Sequence, residues 1–158
     1  MKFTSVLAVV ACVIAASAQS TGAFTNFIDC GGKAVQLFLE DFSLNPSPMC
    51  IGKEICLTAT GELADDILPG ATLEIFGKHL GQVVYSDKID LCQALAANDQ
   101  ACPVPYTARL FKICLKLKPT YLQGSATQFD FIATNGNQMT LFCQRALDRA
   151  PRLQGINC

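Results

Sequence analysis

The sequence is poor in the residues from which catalytic and metal centres are built. It contains one histidine, His79, and no Gly-x-Ser-x-Gly motif, so a hydrolase of the serine–histidine kind lacks its nucleophile turn. It has no Cys-x-x-Cys pair, which argues against a zinc site and a thioredoxin-type redox centre. Asp65 and Asp66 are adjacent, and because neighbouring side chains diverge they predict a solvated loop and no carboxylate dyad. We therefore expect no enzyme and no metal site, and we place His79 in a solvated loop.

The sequence also lacks a strong charge of either sign and, beyond its N-terminus, a long apolar run. Lysine and arginine number 12 and aspartate and glutamate 13, so the electrostatic footprint of a nucleic-acid-binding protein is missing. After residue 18 no apolar stretch approaches the ~18 residues of a membrane span. Residues 149–158 contain no lipid-anchor signal. We expect a soluble protein that binds no nucleic acid.

The N-terminus has the features of a secretory signal peptide. Lys2 precedes an apolar stretch from Val6 to Ala16, and Ala16-Ser17-Ala18 is a small-x-small cleavage site. We predict a signal peptide over residues 1–18, which removes Cys12 from the mature protein. The remaining chain of about 140 residues suits one domain with a single core, made in the secretory pathway.

Eight cysteines remain in this predicted mature chain. They are Cys30, Cys50, Cys56, Cys92, Cys102, Cys114, Cys143 and Cys158. An even number of cysteines in an exported chain predicts a disulfide framework and not a set of reactive thiols. Their spacing alone leaves the connectivity open.

Alternating apolar residues predict β-strands through most of the mature chain. From Arg109 to Lys118 the large apolar side chains occupy every second position, and Lys112, Lys116 and Lys118 take the opposite, solvated face. Weaker alternation occupies residues 35–39, 55–59, 73–75, 83–85, 129–131 and 139–143. These segments predict seven or eight short strands.

Turn signals separate the predicted strands. Asn135-Gly136-Asn137, between two alternating runs, predicts a hairpin, and Asp90–Ala97 is the one segment with a helical pattern. Short antiparallel strands in a disulfide-bonded chain predict an all-β, immunoglobulin-like sandwich of two sheets.

The order of several short motifs resembles a known family. Residues 43–63 read SLNPSPMCIGKEICLTATGEL, a proline-containing loop followed by Gly-Lys and an alternating strand. Asp90-Leu91-Cys92, Ala101-Cys102-Pro103-Val104 and the late Cys143 follow. In order and spacing these motifs resemble the ML (MD-2-related lipid-recognition) domain family, most of all its fungal phosphatidylglycerol/phosphatidylinositol transfer proteins, and also its Niemann-Pick type C2-like sterol carriers. The resemblance places an ML domain at residues 29–146, between a lead-in at 19–28 and a C-terminal tail at 147–158.

This resemblance implies a sandwich whose sheets separate to hold a phospholipid or sterol, without covalent chemistry. The lipid is then a ligand and no cofactor is needed. The protein is expected to be a monomer that contacts membranes transiently, in the extracellular medium or in a vacuole or lysosome lumen.

The predicted cavity lining consists of the inward residues of the strands. These are Val35, Leu37, Leu57, Leu73, Ile75, Val83, Phe111, Ile113, Leu115, Phe129, Phe131 and Leu141. The cavity mouth is predicted in two loops that carry apolar side chains: Ile67, Leu68, Val104 and Tyr106. Composition alone favours another interpretation, in which the same residues form an ordinary dry core. The protein is then a cysteine-rich immunoglobulin-like module that binds a protein or glycan through its loops.

The resemblance also implies part of the disulfide connectivity. The implied pairs are Cys30–Cys143, Cys92–Cys102 and, before the alternating strand, Cys50–Cys56, which leaves Cys114–Cys158. Cys56 and Cys114 both fall at outward strand positions. The alternative pairing, Cys56–Cys114 with Cys50–Cys158, therefore stays open.

Overall fold

The computed structural model describes residues 27–46, 53–118 and 128–147. The predicted signal peptide, Cys50 and Cys158 lie outside these residues, as does the predicted tail after residue 147. No helix among the described residues is long and apolar enough to span a membrane.

Eight strands and one short helix make up the described chain. They are β1 (Phe27–Asp29), β2 (Leu37–Asn45), β3 (Glu54–Leu63), β4 (Thr72–His79), β5 (Gln82–Asp90), α1 (Leu91–Ala96), β6 (Leu110–Lys116), β7 (Gln128–Thr134) and β8 (Thr140–Leu147). The strands form a five-stranded sheet in the order β1-β8-β7-β4-β5 and a three-stranded sheet in the order β2-β3-β6. All pairs are antiparallel. The predicted two-sheet, immunoglobulin-like sandwich is confirmed.

The core lies between the two sheets because their inner faces collect the alternating apolar side chains. In the three-stranded sheet, Leu44, Leu57 and Ile113 stand side by side across β2, β3 and β6, and all three are buried. In the five-stranded sheet, Ile75 on β4 pairs with Phe131 on β7, and both are fully buried. Removing such area from water is the main favourable term that holds the sheets together.

The helix α1 closes one end of the sandwich. Asp90 caps it by accepting a hydrogen bond from the Gln93 backbone N–H at 2.9 Å, as expected of an aspartate N-cap. Leu91 and Leu95, four residues apart and therefore on one face, are buried in the core. The prediction of a short helix after Asp90 is confirmed.

Asn135 ties three loops together at this same end. Its side-chain oxygen accepts the backbone N–H of Leu68 at 2.7 Å, and its amide nitrogen donates to the Gln36 side chain at 2.8 Å and to the Asp66 carbonyl at 2.9 Å. The side chain is fully buried, so these bonds satisfy a polar group that would otherwise be costly to bury. The predicted hairpin at residues 135–137 joins β7 to β8.

Three disulfide bonds lie within the described residues. Cys30–Cys143 and Cys92–Cys102 are present as predicted. The third joins Cys56 to Cys114, so the predicted pairs Cys50–Cys56 and Cys114–Cys158 are wrong. Cys56 and Cys114 are directly opposite on β3 and β6, with Cα atoms 4.0 Å apart, and paired side chains on one face of a sheet are natural partners.

Candidate functional site

The inner faces of the two sheets leave a narrow apolar cavity near α1. Its volume is about 10 Å³, which is room for roughly one water molecule. The lining residues belong to both sheets, to α1 and to one loop: Leu37, Phe42, Leu57, Ala59, Ile67, Leu91, Leu95, Phe111, Ile113, Leu141 and Phe142. No polar side chain is among them, so this part of the interior offers only apolar contact.

Most of the residues predicted to line a cavity are buried between the sheets. Five of them border the narrow cavity: Leu37, Leu57, Phe111, Ile113 and Leu141. Five others are buried in the surrounding core: Leu73, Ile75, Leu115, Phe129 and Phe131. Val35 borders a separate surface groove. A lipid-lining role for these residues stays a prediction.

The prediction that Val83 points inward is wrong, because 55% of the residue is exposed. A β-bulge between Gly77 and Lys78 shifts the pairing of β4 with β5, so that Tyr85 is opposite Gly77 but Val83 is opposite Lys78. Paired residues share a face of the sheet. Val83 therefore joins Lys78 on the outer face, while Tyr85 stays inside.

Two of the four residues predicted at the cavity mouth are not exposed as expected, and a mouth at these loops stays a prediction. Ile67 and Val104 are buried and exchange two backbone hydrogen bonds, at 2.9 and 3.0 Å, so the two loops seal this end. Leu68 is partly buried and donates its N–H to Asn135. Tyr106 alone of the four is exposed, at 59%.

Surface grooves lie along the edge formed by β1 and β8 on one side and β2 on the other. Two adjoining grooves follow this edge, with volumes of about 200 Å³ and about 310 Å³. Both are bordered by Asp29, Leu39 and Gln144. Leu37 and Phe142 line both the first groove and the narrow interior cavity, and Phe42 lines both the second groove and that cavity.

Phe42 stands between the grooves and the interior as an aromatic plug. Its ring centroid lies 4.7 Å from that of Phe27 in an edge-to-face contact, 5.8 Å from Phe142 and 5.9 Å from Phe131. These are favourable separations for aromatic pairs. The Phe42 ring is therefore held by side-chain packing. At the same edge the Gln36 backbone N–H, just before β2, donates to the Thr140 carbonyl of β8 at 2.9 Å.

Sequence reasoning missed Phe42 because β2 contains a bulge. The alternation at residues 35–39 puts odd-numbered residues inside, but the register shifts between Leu39 and Asp41. Phe42 and Leu44, at even positions, are buried after the shift. The sequence signal for this change was the apolar pair Phe42 and Leu44. These residues still alternate every second position, but at even-numbered positions where residues 35–39 use odd-numbered ones.

The opposite edge of the sandwich, between β5 and the end of β6, is closed by polar contacts. The Lys118 Nζ atom donates to the Asp87 carboxylate, and the Lys118 backbone N–H donates to the Tyr85 hydroxyl at 3.2 Å. The Tyr85 hydroxyl lies 3.4 Å from the Asp87 carboxylate. Burial, together with the nearby Asp87 charge, raises the pKa of Tyr85 to about 12, so its hydroxyl keeps its proton at neutral pH.

A second ion cluster lies on the outer face of the five-stranded sheet. Asp130 is buried and accepts hydrogen bonds from Arg145 and Lys78, both at 2.7 Å, and from Gln128 at 3.0 Å. Burial by itself raises the pKa of Asp130, but the hydrogen bonds from Arg145, Lys78 and Gln128 outweigh it and lower the pKa below its usual value. This cluster faces away from the core and joins β4, β7 and β8.

The described residues bring together no catalytic constellation. His79 is half-buried at the end of β4 and its Nδ1 atom has no hydrogen-bond partner, so the expectation of a solvated loop was wrong. Glu54, Cys56 and Cys114 lie within ligand distance of one another. Both cysteines are in a disulfide, however, and have no thiolate to offer a metal.

These features define a disulfide-bonded immunoglobulin-like β-sandwich with an apolar interior and one unsealed edge. A family model described as the ML domain matches residues 25–146. The chain belongs to the ML domain family.

Two solved structures resemble the fold. The Niemann-Pick type C2 protein from Japanese carpenter ant has a TM-score of 0.56 at 16% identity, over 77% of this chain and 96% of that one. Chicken MD-1, solved in complex with lipid IVa, has a TM-score of 0.50 at 14% identity, over 77% of this chain and 86% of that one. No curated protein matches the sequence.

Proposed function

We propose that this protein is a secretory-pathway carrier that holds one phospholipid or sterol with its apolar part between the two sheets. Membership of the ML domain family supports lipid binding, and the structural relative chicken MD-1 was solved with a lipid. The observation that carries the proposal is that the edge grooves and the all-apolar interior are separated only by side chains that line both, Leu37, Phe42 and Phe142.

A cavity of about 10 Å³ is far smaller than an acyl chain, so binding requires the sheets to part. The β1/β2 edge is the place for this, because its plug is apolar packing around Phe42. Each methylene removed from water contributes about 0.8 kcal/mol. Burial of a tail of ordinary length therefore offsets the free energy of packing that the aromatic plug gives up when it moves.

Loading from a membrane requires that the tail never crosses open water. Ile28 on β1 and Phe38 on β2 are 49% and 54% exposed, and Phe38 borders one of the grooves. These two apolar side chains flank the unsealed edge. We propose that they contact the bilayer surface transiently while the lipid passes.

The proposed carrier acts as a monomer in the extracellular medium or a vacuole or lysosome lumen. It needs no cofactor, because the lipid is a ligand, and it performs no covalent chemistry. The lack of a catalytic constellation among residues 27–46, 53–118 and 128–147 is compatible with this role.

One observation favours a rival function. The interior is packed nearly shut, as in a module that binds a protein or glycan through its loops and keeps a dry core. The carrier uses the inner faces of the sheets to bind lipid, whereas the loop-binding module uses them only as a core. A substitution on an inner face therefore distinguishes the two functions.

The test combines native mass spectrometry with a pair of variants on one strand. Protein secreted by its own host is weighed intact, and any bound lipid is extracted, identified and offered again to the stripped protein from vesicles. Ala59→Leu adds bulk to the interior beside Phe42, whereas Thr58→Leu adds it on the outer face. We expect stoichiometric lipid on the wild type and on Thr58→Leu, and loss of most loading in Ala59→Leu.

Thermal unfolding checks that Ala59→Leu is folded, since overpacking costs about 1–3 kcal/mol. A wild-type protein that carries no lipid and takes none from vesicles contradicts the carrier function and supports the dry module. Equal loading of Thr58→Leu and Ala59→Leu also contradicts binding between the sheets.

A further inference from the structure

The unsealed edge carries polar groups that the apolar interior does not explain. Gln144 on β8 belongs to the inner face, where it is opposite Phe131, and it is only 7% exposed. It borders both edge grooves. Among the described residues His79 Nδ1 is the one fully buried side-chain atom that lacks a hydrogen-bond partner, so the Gln144 amide, to which the described residues give no hydrogen bond, keeps an accessible surface in the grooves. A polar group that enters the grooves is therefore able to hydrogen-bond this amide.

The two edge grooves that Gln144 borders form one surface, called the groove from here on, and this surface is acidic. Asp29, Glu40 and Asp41 border it, and its described lining contains no lysine, arginine or histidine. Asp29 is directly opposite Gln144 on the neighbouring strand β1. One oxygen of Asp29 accepts the Gly31 N–H at 2.8 Å. An ionised carboxylate accepts hydrogen bonds but donates none, and it repels anions.

We propose that this groove holds the polar head of the bound lipid and selects heads that donate hydrogen bonds and carry no net negative charge. The proposal rests on the proposed carrier function. A sterol hydroxyl and a phosphatidylethanolamine ammonium share the required chemistry, since both donate to carboxylate and amide oxygens. An anionic head such as phosphatidylglycerol meets three carboxylates and no compensating cation among the described lining residues.

The geometry connects this selection to the apolar interior. Leu39 borders both grooves beside Gln144, and Leu37, Phe42 and Phe142 border both a groove and the interior cavity. A lipid entering past Phe42 therefore leaves its head between Gln144 and the carboxylates. The head is partly out of bulk water there, where a charge-assisted hydrogen bond is stronger than on an open surface.

The experiment measures binding of lipids that differ in the head alone. One arm compares a sterol with its 3-sulfate, which replaces the donating hydroxyl with an anion. The other compares phosphatidylethanolamine, phosphatidylcholine and phosphatidylglycerol with identical acyl chains. Phosphatidylcholine is zwitterionic but its ammonium cannot donate, so it separates hydrogen bonding from charge. All measurements use the full-length secreted protein, stripped of lipid, at low and at physiological ionic strength.

We expect the wild type to bind the sterol at least about tenfold more tightly than its sulfate, with the ratio shrinking at higher salt because exposed carboxylates are screened. We expect phosphatidylethanolamine to bind more tightly than phosphatidylcholine, and phosphatidylglycerol most weakly. The sterol arm and the phospholipid arm show which of the two donor heads the groove prefers.

Two triple variants separate the effect of the groove carboxylates on lipid affinity from the effect of the protein's overall charge. Asp29→Asn with Glu40→Gln and Asp41→Asn removes the groove carboxylates, which are exposed and hence tolerant of change. Glu54→Gln with Glu62→Gln and Asp99→Asn removes the same charge from positions elsewhere on the surface. We expect the first to raise phosphatidylglycerol affinity about fivefold at low salt and the second to change it less than about twofold. Gln144→Leu is expected to abolish the preference for phosphatidylethanolamine over phosphatidylcholine.

Equal phosphatidylglycerol binding by the two triple variants overturns the proposal. So does a wild type that binds phosphatidylglycerol as tightly as phosphatidylethanolamine. Uptake of every lipid with equal affinity defeats only the head selection, whereas uptake of none defeats the carrier function itself. If Gln144→Leu does not fold, the comparison of the triple variants still decides the outcome.

Discussion

The two edges of this sandwich both carry an acidic residue on the inner face of the five-stranded sheet, but the two sheets are joined differently there. A single row of paired inner-face residues crosses the five-stranded sheet: Asp87, Ile75, Phe131, Gln144 and Asp29. The row is apolar in its middle and polar at both ends. At the β5 end the Asp87 carboxylate is ion-paired with Lys118, which follows β6 of the other sheet, whereas at the β1 end the described groove lining contains no cation.

This difference separates an edge closed by an ion pair from an edge held mainly by aromatic packing. A cation from the side of the facing sheet pairs with a buried carboxylate and so links the two sheets. Removing the cation is costly because the buried carboxylate is then left without a compensating charge. At the β1/β2 edge the sheets meet through aromatic packing around Phe42 and through a neutral backbone hydrogen bond from the Gln36 N–H to the Thr140 carbonyl, with no ion pair among the described residues that line the grooves. We infer that the β5/β6 edge acts as the hinge and the β1/β2 edge as the entrance.

The largest expected effect comes from removing the plug. Phe42→Ala is expected to lower the free energy of unfolding by about 3–4 kcal/mol and to increase the rate of lipid uptake from vesicles, because the barrier at the entrance is gone. Phe129→Ala is the control, since Phe129 is buried near the hinge beside Tyr85. It is expected to cost similar stability without faster uptake. Equal uptake rates for the two variants would place the entrance elsewhere.

A smaller effect is expected at the hinge. Lys118→Met leaves the Asp87 carboxylate, 3% exposed, without its ion-pair partner, but the lysine side chain itself is 72% exposed. After allowing for that exposure we expect a loss of about 1–2 kcal/mol in urea unfolding, with unchanged lipid uptake. Lys112→Met, on the exposed face of β6, is the control and is expected to be neutral. Uptake accelerated by Lys118→Met as strongly as by Phe42→Ala would make the β5/β6 edge the entrance.

The smallest effect concerns alkaline pH. Tyr85 has a folded-state pKa of about 12 against an ordinary value of 10.0, so the unfolded chain loses this proton first as the pH rises. The contribution of Tyr85 to stability is therefore complete below about pH 10 and falls between about pH 10 and 12. In urea unfolding at about pH 9 and about pH 11, the wild type is expected to lose about 1 kcal/mol more than Tyr85→Phe. All other groups are common to both proteins, so an equal loss in the two would show that burial does not shield the Tyr85 hydroxyl.

Much of the fold could be predicted because its signals are local. The alternation on β6 depends on neighbours two positions apart, and it places Phe111 and Ile113 inside as the structure has them. The cap at Asp90 acts over three residues. Cys30–Cys143 and Cys92–Cys102 followed from family resemblance and are present.

The candidate site was less predictable because it depends on irregularities and on distant pairs. One bulge in β2 moved Phe42 inside and another in the β4–β5 pair moved Val83 outside. A bulge adds one residue and reverses the parity of everything that follows, without a strong mark in the sequence. The loops around Ile67 and Val104 looked exposed by composition, yet their mutual backbone bonds bury both residues.

The sequence by itself determined the class of fold, the faces of the regular strands and the outward positions of Cys56 and Cys114, because each depends on a period of two along one strand. The tertiary structure decided that these two cysteines pair with each other, that Lys118 reaches Asp87, and that Phe42 and Gln144 occupy the unsealed edge. Each of these facts joins residues far apart in the chain. Only the register of the strands and the stacking of two sheets bring such residues within contact distance.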